Sequence, residues 1–327
     1  MNNYSWLQQK LHQLALSSQF MREVMFDIES SVISINQTND NHVFVSGLAR
    51  SGTTILLNAL HESSEFSSLS YKDMPFVLAP NLWSKLSFTK QDFDLVERAH
   101  GDGIKVSTES PEAFEEVFWM TFPEDDKETE EKFKNYVQLI NHKYHKKRYL
   151  SKNNQNIRRL LLISKIFPCS KILIPFRKPI QQAHSLLSQH QKFILDSKND
   201  EFISYYMKWI GHTEFGPNYI PVHNKNLCFK DDLNINHWLE QWYLTYKSVL
   251  ELSAEHGEFY LIGYESLCNN PKVWVNIKDL LGINQEIKFL FKESKKVIGQ
   301  TFDDCLSDKC YRIYESLVTL SLSSSKV

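Results

Sequence analysis

Three stretches predict an α/β fold with a central parallel sheet for this 327-residue chain. HVFVSG (42–47), KILIPF (171–176) and EFYLIGY (258–264) are short, β-branched or aromatic runs. Each stands beside a longer segment of helical pattern, and strands alternating with helices build parallel sheets. From the N-terminus, residues 6–35 carry Trp6, Leu7, Leu11, Leu14, Phe20, Val24 and Met25 at roughly helical spacing, which predicts one or two amphipathic helices. The strand at 42–47 ends in glycine and runs into SGTTILLNALHES (51–63), a helix with Ser51 and Thr53 near its start. The acidic run TFPEDDKETEEKFKN (121–135) reads as a surface loop or a helix start. NIRRLLLISKIF (156–167) reads as the helix before the second strand, and 236–256 as the helix before the third. HTEFGPNYIPVHNKN (212–226), with a glycine and two prolines, is an irregular excursion between core helices. No internal repeat or low-complexity tract interrupts the pattern. The expected organisation is an N-terminal helical segment (1–40) packed on a single α/β domain with insertions (41–327).

Composition narrows the function. With 42% hydrophobic and 23% charged residues the chain is an ordinary globular one, which excludes wholesale disorder. Lysine and arginine (37) nearly balance aspartate and glutamate (39), so no global attraction to nucleic acid is expected. The local basic cluster at 142–159 reads as a solvated helix face, with guidance of an acidic acceptor as the alternative. Cys169, Cys228, Cys268, Cys305 and Cys310 are scattered and form no C-x-x-C pair, which points to reduced thiols rather than a zinc site or disulfide framework. The first residues lack the basic and long apolar regions of a signal peptide, and no apolar run is long enough to span a membrane. A cytoplasmic protein without a membrane span is the expectation.

The chemistry concentrates in FVSGLARSGTTILLNAL (44–60). A strand, a glycine-flanked turn and a helix N-terminus aim unpaired backbone N–H groups and the helix dipole at one point, which makes an anion site. The run approaches the phosphate loop G-x-x-x-x-G-K-[ST]: Gly47, Gly52 and Thr54 fit it, but Thr53 fills the lysine slot and Arg50 stands inside the loop. A nucleoside triphosphatase needs that lysine and a magnesium-binding acid. The strand 171–176 is followed instead by Arg177. The plain alternative is a tight turn with incidental hydroxyls. In an open parallel sheet, ligands bind beyond the carboxyl ends of the strands, so residues 47–54, Arg177 onward and Tyr264 onward share one rim.

The same run resembles the 5′-phosphosulfate loop of sulfotransferases, [PA]-[RK]-S-G-T-T-x-L. That resemblance implies a P-loop-type three-layer α/β/α fold. It also implies 3′-phosphoadenosine 5′-phosphosulfate (PAPS) as sulfonyl donor, adenosine 3′,5′-bisphosphate as product, and no metal. It maps Arg50, Ser51, Gly52, Thr53 and Thr54 onto the 5′-phosphosulfate. KILIPFRKPIQQAHSLLSQH (171–190) is similar to the family's 3′-phosphate element, with Arg177 and, eight residues on, Ser185. A planar guanidinium suits phosphate oxygens. YLSKNNQNIRRLLLISKIFPCSKIL (149–173) resembles the segment that puts a lysine, here Lys152, at the transferring sulfonyl group. LIGYESLCNNP (261–271) resembles a late strand–turn in which Tyr264 lies near the adenosine and Glu265 is structural. Together the four elements cover most of 42–282, closest to the tyrosylprotein and bacterial branch. Gln189 stands where the family has a second 3′-phosphate arginine. The late donor loop has no clear counterpart; 291–300, with Ser294, Lys295 or Lys296, is the best match.

In-line sulfonyl transfer needs a base for the acceptor proton and cations for the leaving oxygen. Arg50 and Lys152 suit the second role. For the base, the resemblance puts Asp73 (in SLSYKDMPFVLAPNLW) at the place of a family glutamate, with Glu109 and then His100 as rivals. After Glu109 a helix is expected from Ser110 and Pro111, burying Phe114, Val117 and Phe118 and leaving Glu112, Glu115 and Glu116 solvated. MPFVLAPNLW (74–83) is either an acceptor-pocket wall or core. The implied activity is metal-independent transfer from PAPS to an acceptor hydroxyl on a saccharide, lipid, small alcohol or tyrosine. The alternatives are a P-loop small-molecule kinase and a non-catalytic nucleotide-binding relative. Association with a second copy of the chain stays open.

Overall fold

The computed structural model describes residues 5–35, 39–86, 96–97, 105–106, 110–199, 201–287, 289, 291 and 301–322. The first half runs α1 (Trp6–Leu16), α2 (Gln19–Val32), β1 (Val43–Val45), α3 (Thr53–His61), β2 (Phe66–Ser67), α4 (Pro80–Leu86), β3 (Val96–Glu97), β4 (Lys105–Val106) and α5 (Glu116–Trp119). Next come α6 (Thr129–Tyr144), β5 (Arg148–Lys152), α7 (Leu160–Ile166), β6 (Lys171–Phe176), α8 (Pro179–Asn199) and α9 (Glu201–Trp209). The chain continues with α10 (Ile235–Ser253), β7 (Phe259–Gly263), α11 (Tyr264–Asn269), α12 (Pro271–Leu281) and α13 (Asp304–Leu320). Short 3₁₀ turns lie at Tyr71–Asp73, Asn154–Arg158 and Gly216–Asn218.

Five strands form one sheet in the order β2-β5-β1-β6-β7, and every neighbouring pair in it is parallel. Successive side chains of a strand point to opposite faces, and here both faces are covered. Val43, Val45 and Leu173 pack with Leu56, Leu57 and Leu60 of α3 and Ile277 of α12. Phe44, Ile172, Ile174 and Phe176 pack on the other side with Phe133 of α6, Ile163 of α7, Ala183 of α8 and Trp242 of α10. That is the three-layer α/β/α arrangement. It also explains why these strands are apolar throughout rather than alternating. Each large side chain so buried contributes about 1.5–3 kcal/mol relative to exposure.

The N-terminal helices are tied to the sheet-bearing part by buried polar groups. Glu29 of α2, with no exposed surface, accepts the backbone N–H groups of Asn81 (2.7 Å) and Leu82 (2.9 Å) in the first turn of α4. Arg22 donates to Thr121 Oγ1 at 2.8 Å.

Four local expectations are corrected. No helix begins at Ser110: Pro111 bridges to Ser70, and Glu112 N donates to Leu69 O at 3.1 Å. That holds this stretch extended, so the helix starts only at Glu116. The expected helix over 156–167 is split, because the Asn153 side chain caps a 3₁₀ turn through Gln155 N (3.0 Å) and Arg159 sits off the helical region before α7. The basic segment 142–159 is not simply a solvated face. Lys143 pairs with buried Asp73, Arg148 donates to Leu281 O at 2.8 Å, and Arg159 is buried. Glu115 and Glu116 are not solvated either, since the chain folds both against donors described below. Within 74–83, Met74, Val77, Leu78 and Ala79 are buried and belong to the core.

Candidate functional site

Four adjacent strands, β5, β1, β6 and β7, deliver the candidate residues to one rim. Lys152 ends β5 and lies opposite Val45 in register, two residues before Gly47 opens the loop after β1. Arg177 follows β6, and Tyr264 follows β7, whose last residue Gly263 is paired with Phe176. The register itself therefore brings the four groups together.

The loop after β1 is shaped by close approach and by left-handed backbone. A side chain on Gly47 would bring its Cβ within 2.9 Å of the Pro175 carbonyl, so the loop lies directly on β6. Arg50 (φ 67°) and Gly52 (φ 99°) both occupy the left-handed region on either side of Ser51. A non-glycine residue there carries a backbone cost and is held by its surroundings. Gly52 admits no side chain for a second reason: a Cβ would stand 2.5 Å from the Tyr264 ring. α3 then begins at Thr53, and its first N–H groups, which lack intrahelical carbonyls, face out of the loop. Thr53 Oγ1 donates to Asn154 Oδ1 at 3.1 Å.

The two elements expected to bind phosphate touch. Arg50 Nε donates to Ser185 Oγ at 3.0 Å, joining the loop after β1 to the second turn of α8. The Arg177 guanidinium carbon lies 5.5 Å from the Tyr264 ring centroid, and its Nε is 4.0 Å from Glu265 Oε1. Burial raises the pKa of the Tyr264 phenol, and the Cys268 thiol adds to the shift, so the ring stays neutral. Glu265 has the scaffolding place expected for it, accepting Lys178 N (3.0 Å) and Tyr314 OH (3.2 Å). Gln182 went unnoticed in the sequence. Its amide donates to Ala49 O (3.0 Å) and accepts from the Trp242 indole (3.0 Å), clamping the loop to α8 and α10. Helical phase could have revealed it, since Gln182 and Ser185 are three apart on one face of α8.

On the β5 side, a buried polar layer supports the rim. Glu115, 2% exposed, accepts from Asn156 (2.7 Å), Trp119 (3.0 Å) and Tyr149 (3.1 Å). Glu116 is gripped by two Arg159 nitrogens (2.7 and 2.9 Å) and by Asn153 (2.8 Å). Burial raises the Glu116 pKa, and the arginine offsets only part of that. Asn153 and Asn154 follow Lys152 directly, so this layer sets where the lysine and Thr53 stand.

Asp73 lies beyond β2 on the same edge, with no exposed surface. One oxygen pairs with Lys143; the other accepts Ser70 N (2.7 Å), Ser70 Oγ (3.3 Å) and Tyr144 OH (2.6 Å). Glu109 and His100, and the segment 292–300 with Ser294, Lys295 and Lys296, lie outside the described residues. Among the described residues no group of three or more His, Cys, Asp or Glu side chains is placed to hold a metal ion. No helix among them is long and apolar enough to cross a membrane.

A strand-to-helix loop with left-handed backbone, joined by the Arg50–Ser185 contact to the arginine–serine element after the next strand, lies at the carboxyl rim of a parallel sheet. A family model described as "Sulfotransferase family" matches residues 42–214, more than half of the chain. The protein belongs to the sulfotransferase family. In fold it is similar to sulfotransferase STF1 from Mycobacterium tuberculosis H37Rv, at 12% identity and a TM-score of 0.50, over 97% of this chain and 87% of that one. Sulfotransferase STF9 from Mycobacterium avium aligns at 12% identity and a TM-score of 0.45, over 95% of this chain and 78% of that chain. No curated protein matches the chain by sequence.

Proposed function

We propose that the protein transfers a sulfonyl group from PAPS to an acceptor hydroxyl, giving a sulfate ester and adenosine 3′,5′-bisphosphate. The observation that carries this reading is the Arg50–Ser185 contact at 3.0 Å, which joins a phosphosulfate-type loop to a 3′-phosphate-type element. A P-loop kinase does not need the second element.

Residues of this chain have distinct parts in that reaction. The backbone N–H groups of Ser51, Gly52 and Thr53 at the N-terminus of α3, with the Thr54 hydroxyl, hold the 5′-phosphosulfate. Arg177 and Ser185 hold the 3′-phosphate, a task suited to a planar guanidinium. Arg50 stands between these two elements, and its charge serves the anion across the junction. The Tyr264 ring, pressed against Gly52 and Arg177, offers an apolar face to the adenosine. Lys152, at the end of β5, stabilises charge on the leaving bridge oxygen. When bound, the donor supplies an activated sulfonyl group whose leaving oxygen belongs to the 5′-phosphate. Asp73 serves its own turn, since Lys143 takes one of its oxygens and Ser70 and Tyr144 take the other.

Incubation of ³⁵S-labelled PAPS with the purified protein and fractionated cell extract tests the reading. Label moving into one fraction, and lost with Lys152→Ala, is expected. Donor consumption at the buffer rate with every fraction contradicts it.

A further inference from the structure

Among the described residues, one carboxylate outside the roles assigned so far is wired to the anion loop. Glu214 lies in the irregular segment after α9. Its Oε1 accepts Asn154 Nδ2 at 3.3 Å, and Asn154 Oδ1 in turn accepts the Thr53 hydroxyl at 3.1 Å. Glu214 therefore stands one side chain away from Thr53 at the start of α3, and Asn154 is two residues from Lys152. Its surroundings are rigid. Thr213 Oγ1 accepts from Gln155 (3.0 Å), Gly216 N donates to His190 (3.1 Å), and His212 stacks on Phe193 with ring centroids 5.3 Å apart. The other oxygen, Oε2, is buried and takes no hydrogen bond from the described residues; His212 Nδ1 is 3.6 Å away. A buried carboxylate oxygen without a donor is costly, and in a native site it calls for a missing partner.

We infer that Glu214 is the base of the reaction and that the acceptor hydroxyl is the partner missing from Oε2. This rests on the PAPS-dependent reading above. Asn154 fixes one oxygen and thereby turns the other toward the acceptor. As the acceptor oxygen closes on sulfur, Glu214 Oε2 takes its proton and the oxygen's electron pair makes the new O–S bond. The S–O bond to the 5′-phosphate breaks with its pair left on the phosphate oxygen, where Lys152 stabilises the charge. Arg158 and Glu116 are also within electrostatic reach of Glu214, with opposite sign.

Water replaces the unidentified acceptor in the test. Release of labelled sulfate from PAPS is followed in single turnover, beside calorimetric binding of adenosine 3′,5′-bisphosphate, for wild type, Glu214→Gln and Glu214→Ala. The expected result is an affinity within about twofold of wild type and a hydrolysis rate lower by roughly 100-fold, the size of a lost general base. Formate should restore part of the Glu214→Ala rate, which a purely structural role would not allow. An unchanged rate, an absence of formate rescue, or affinity falling in step with rate overturns the assignment. So does a wild-type rate no faster than buffer while binding is intact. Failure of wild type to bind the bisphosphate removes the underlying reading instead, and the binding arm tells the two apart.

Discussion

Replacing Gly52 with alanine sets two costs against each other at one atom. The backbone at Gly52 has φ 99°, where an L side chain costs roughly 1–2 kcal/mol. The added methyl would also stand 2.5 Å from Cδ2 and 2.9 Å from Cε2 of Tyr264, far inside ordinary contact. The ring cannot swing away freely, because it is 6% exposed and packed beside the Arg177 guanidinium. Overpacking of this kind costs about 1–3 kcal/mol. Together the variant should lose roughly 2–5 kcal/mol, read as a lower urea midpoint with an unchanged slope. A double-mutant cycle separates the parts: in a Tyr264→Ala background only the backbone cost of roughly 1–2 kcal/mol should remain. A Gly52→Ala protein within about 0.5 kcal/mol of wild type, the range of an ordinary surface change, would refute both the loop geometry and the role of Tyr264.

Gln182→Ala leaves the Ala49 carbonyl and the Trp242 indole without their shared partner. Urea unfolding should show a loss of about 1–3 kcal/mol, and affinity for adenosine 3′,5′-bisphosphate should fall with it. Arg159→Met strands the Glu116 carboxylate, a change that typically costs 3–5 kcal/mol. The double variant Arg159→Met/Glu116→Leu should recover most of that in the same assay. Burial, with Arg148 adding to it, lowers the His42 pKa from 6.5 to about 4. The unfolded chain then binds more protons between those values, so stability is full above pH 6.5 and declines as pH falls toward 4. At about 1.4 kcal/mol per pKa unit the loss is on the order of 3 kcal/mol. His42→Gln should flatten the melting-temperature profile across that window, and an unchanged profile would count against a neutral buried imidazole.

The legible parts of the sequence were those set by local pattern. The strand at Lys171–Phe176 is legible with its observed bounds, because five apolar residues between a lysine and an arginine leave little choice. The turn from Gly47 into the helix at Thr53 is legible because a tight strand-to-helix loop needs its glycines at fixed places. What stayed hidden depends on contacts across the fold. Glu115 and Glu116 look like a solvated helix face until Tyr149, Asn156 and Arg159 arrive from 34 to 43 residues away. Ser110 and Pro111 look like a helix start, and the strand-like bridge to Ser70 overrides them. Gln182, Asn154 and Glu214 belong to no local motif; only the packing of α8 and β5 against the loop shows that they touch it.

Calorimetry on the rim itself decides the matter in one titration series, run without magnesium. If Arg177 and Ser185 form a 3′-phosphate seat, adenosine 3′,5′-bisphosphate binds at least tenfold tighter than AMP, and Arg177→Ala abolishes the difference. Equal binding of the two nucleotides, or an affinity untouched by Arg177→Ala, contradicts the assignment of this site to PAPS.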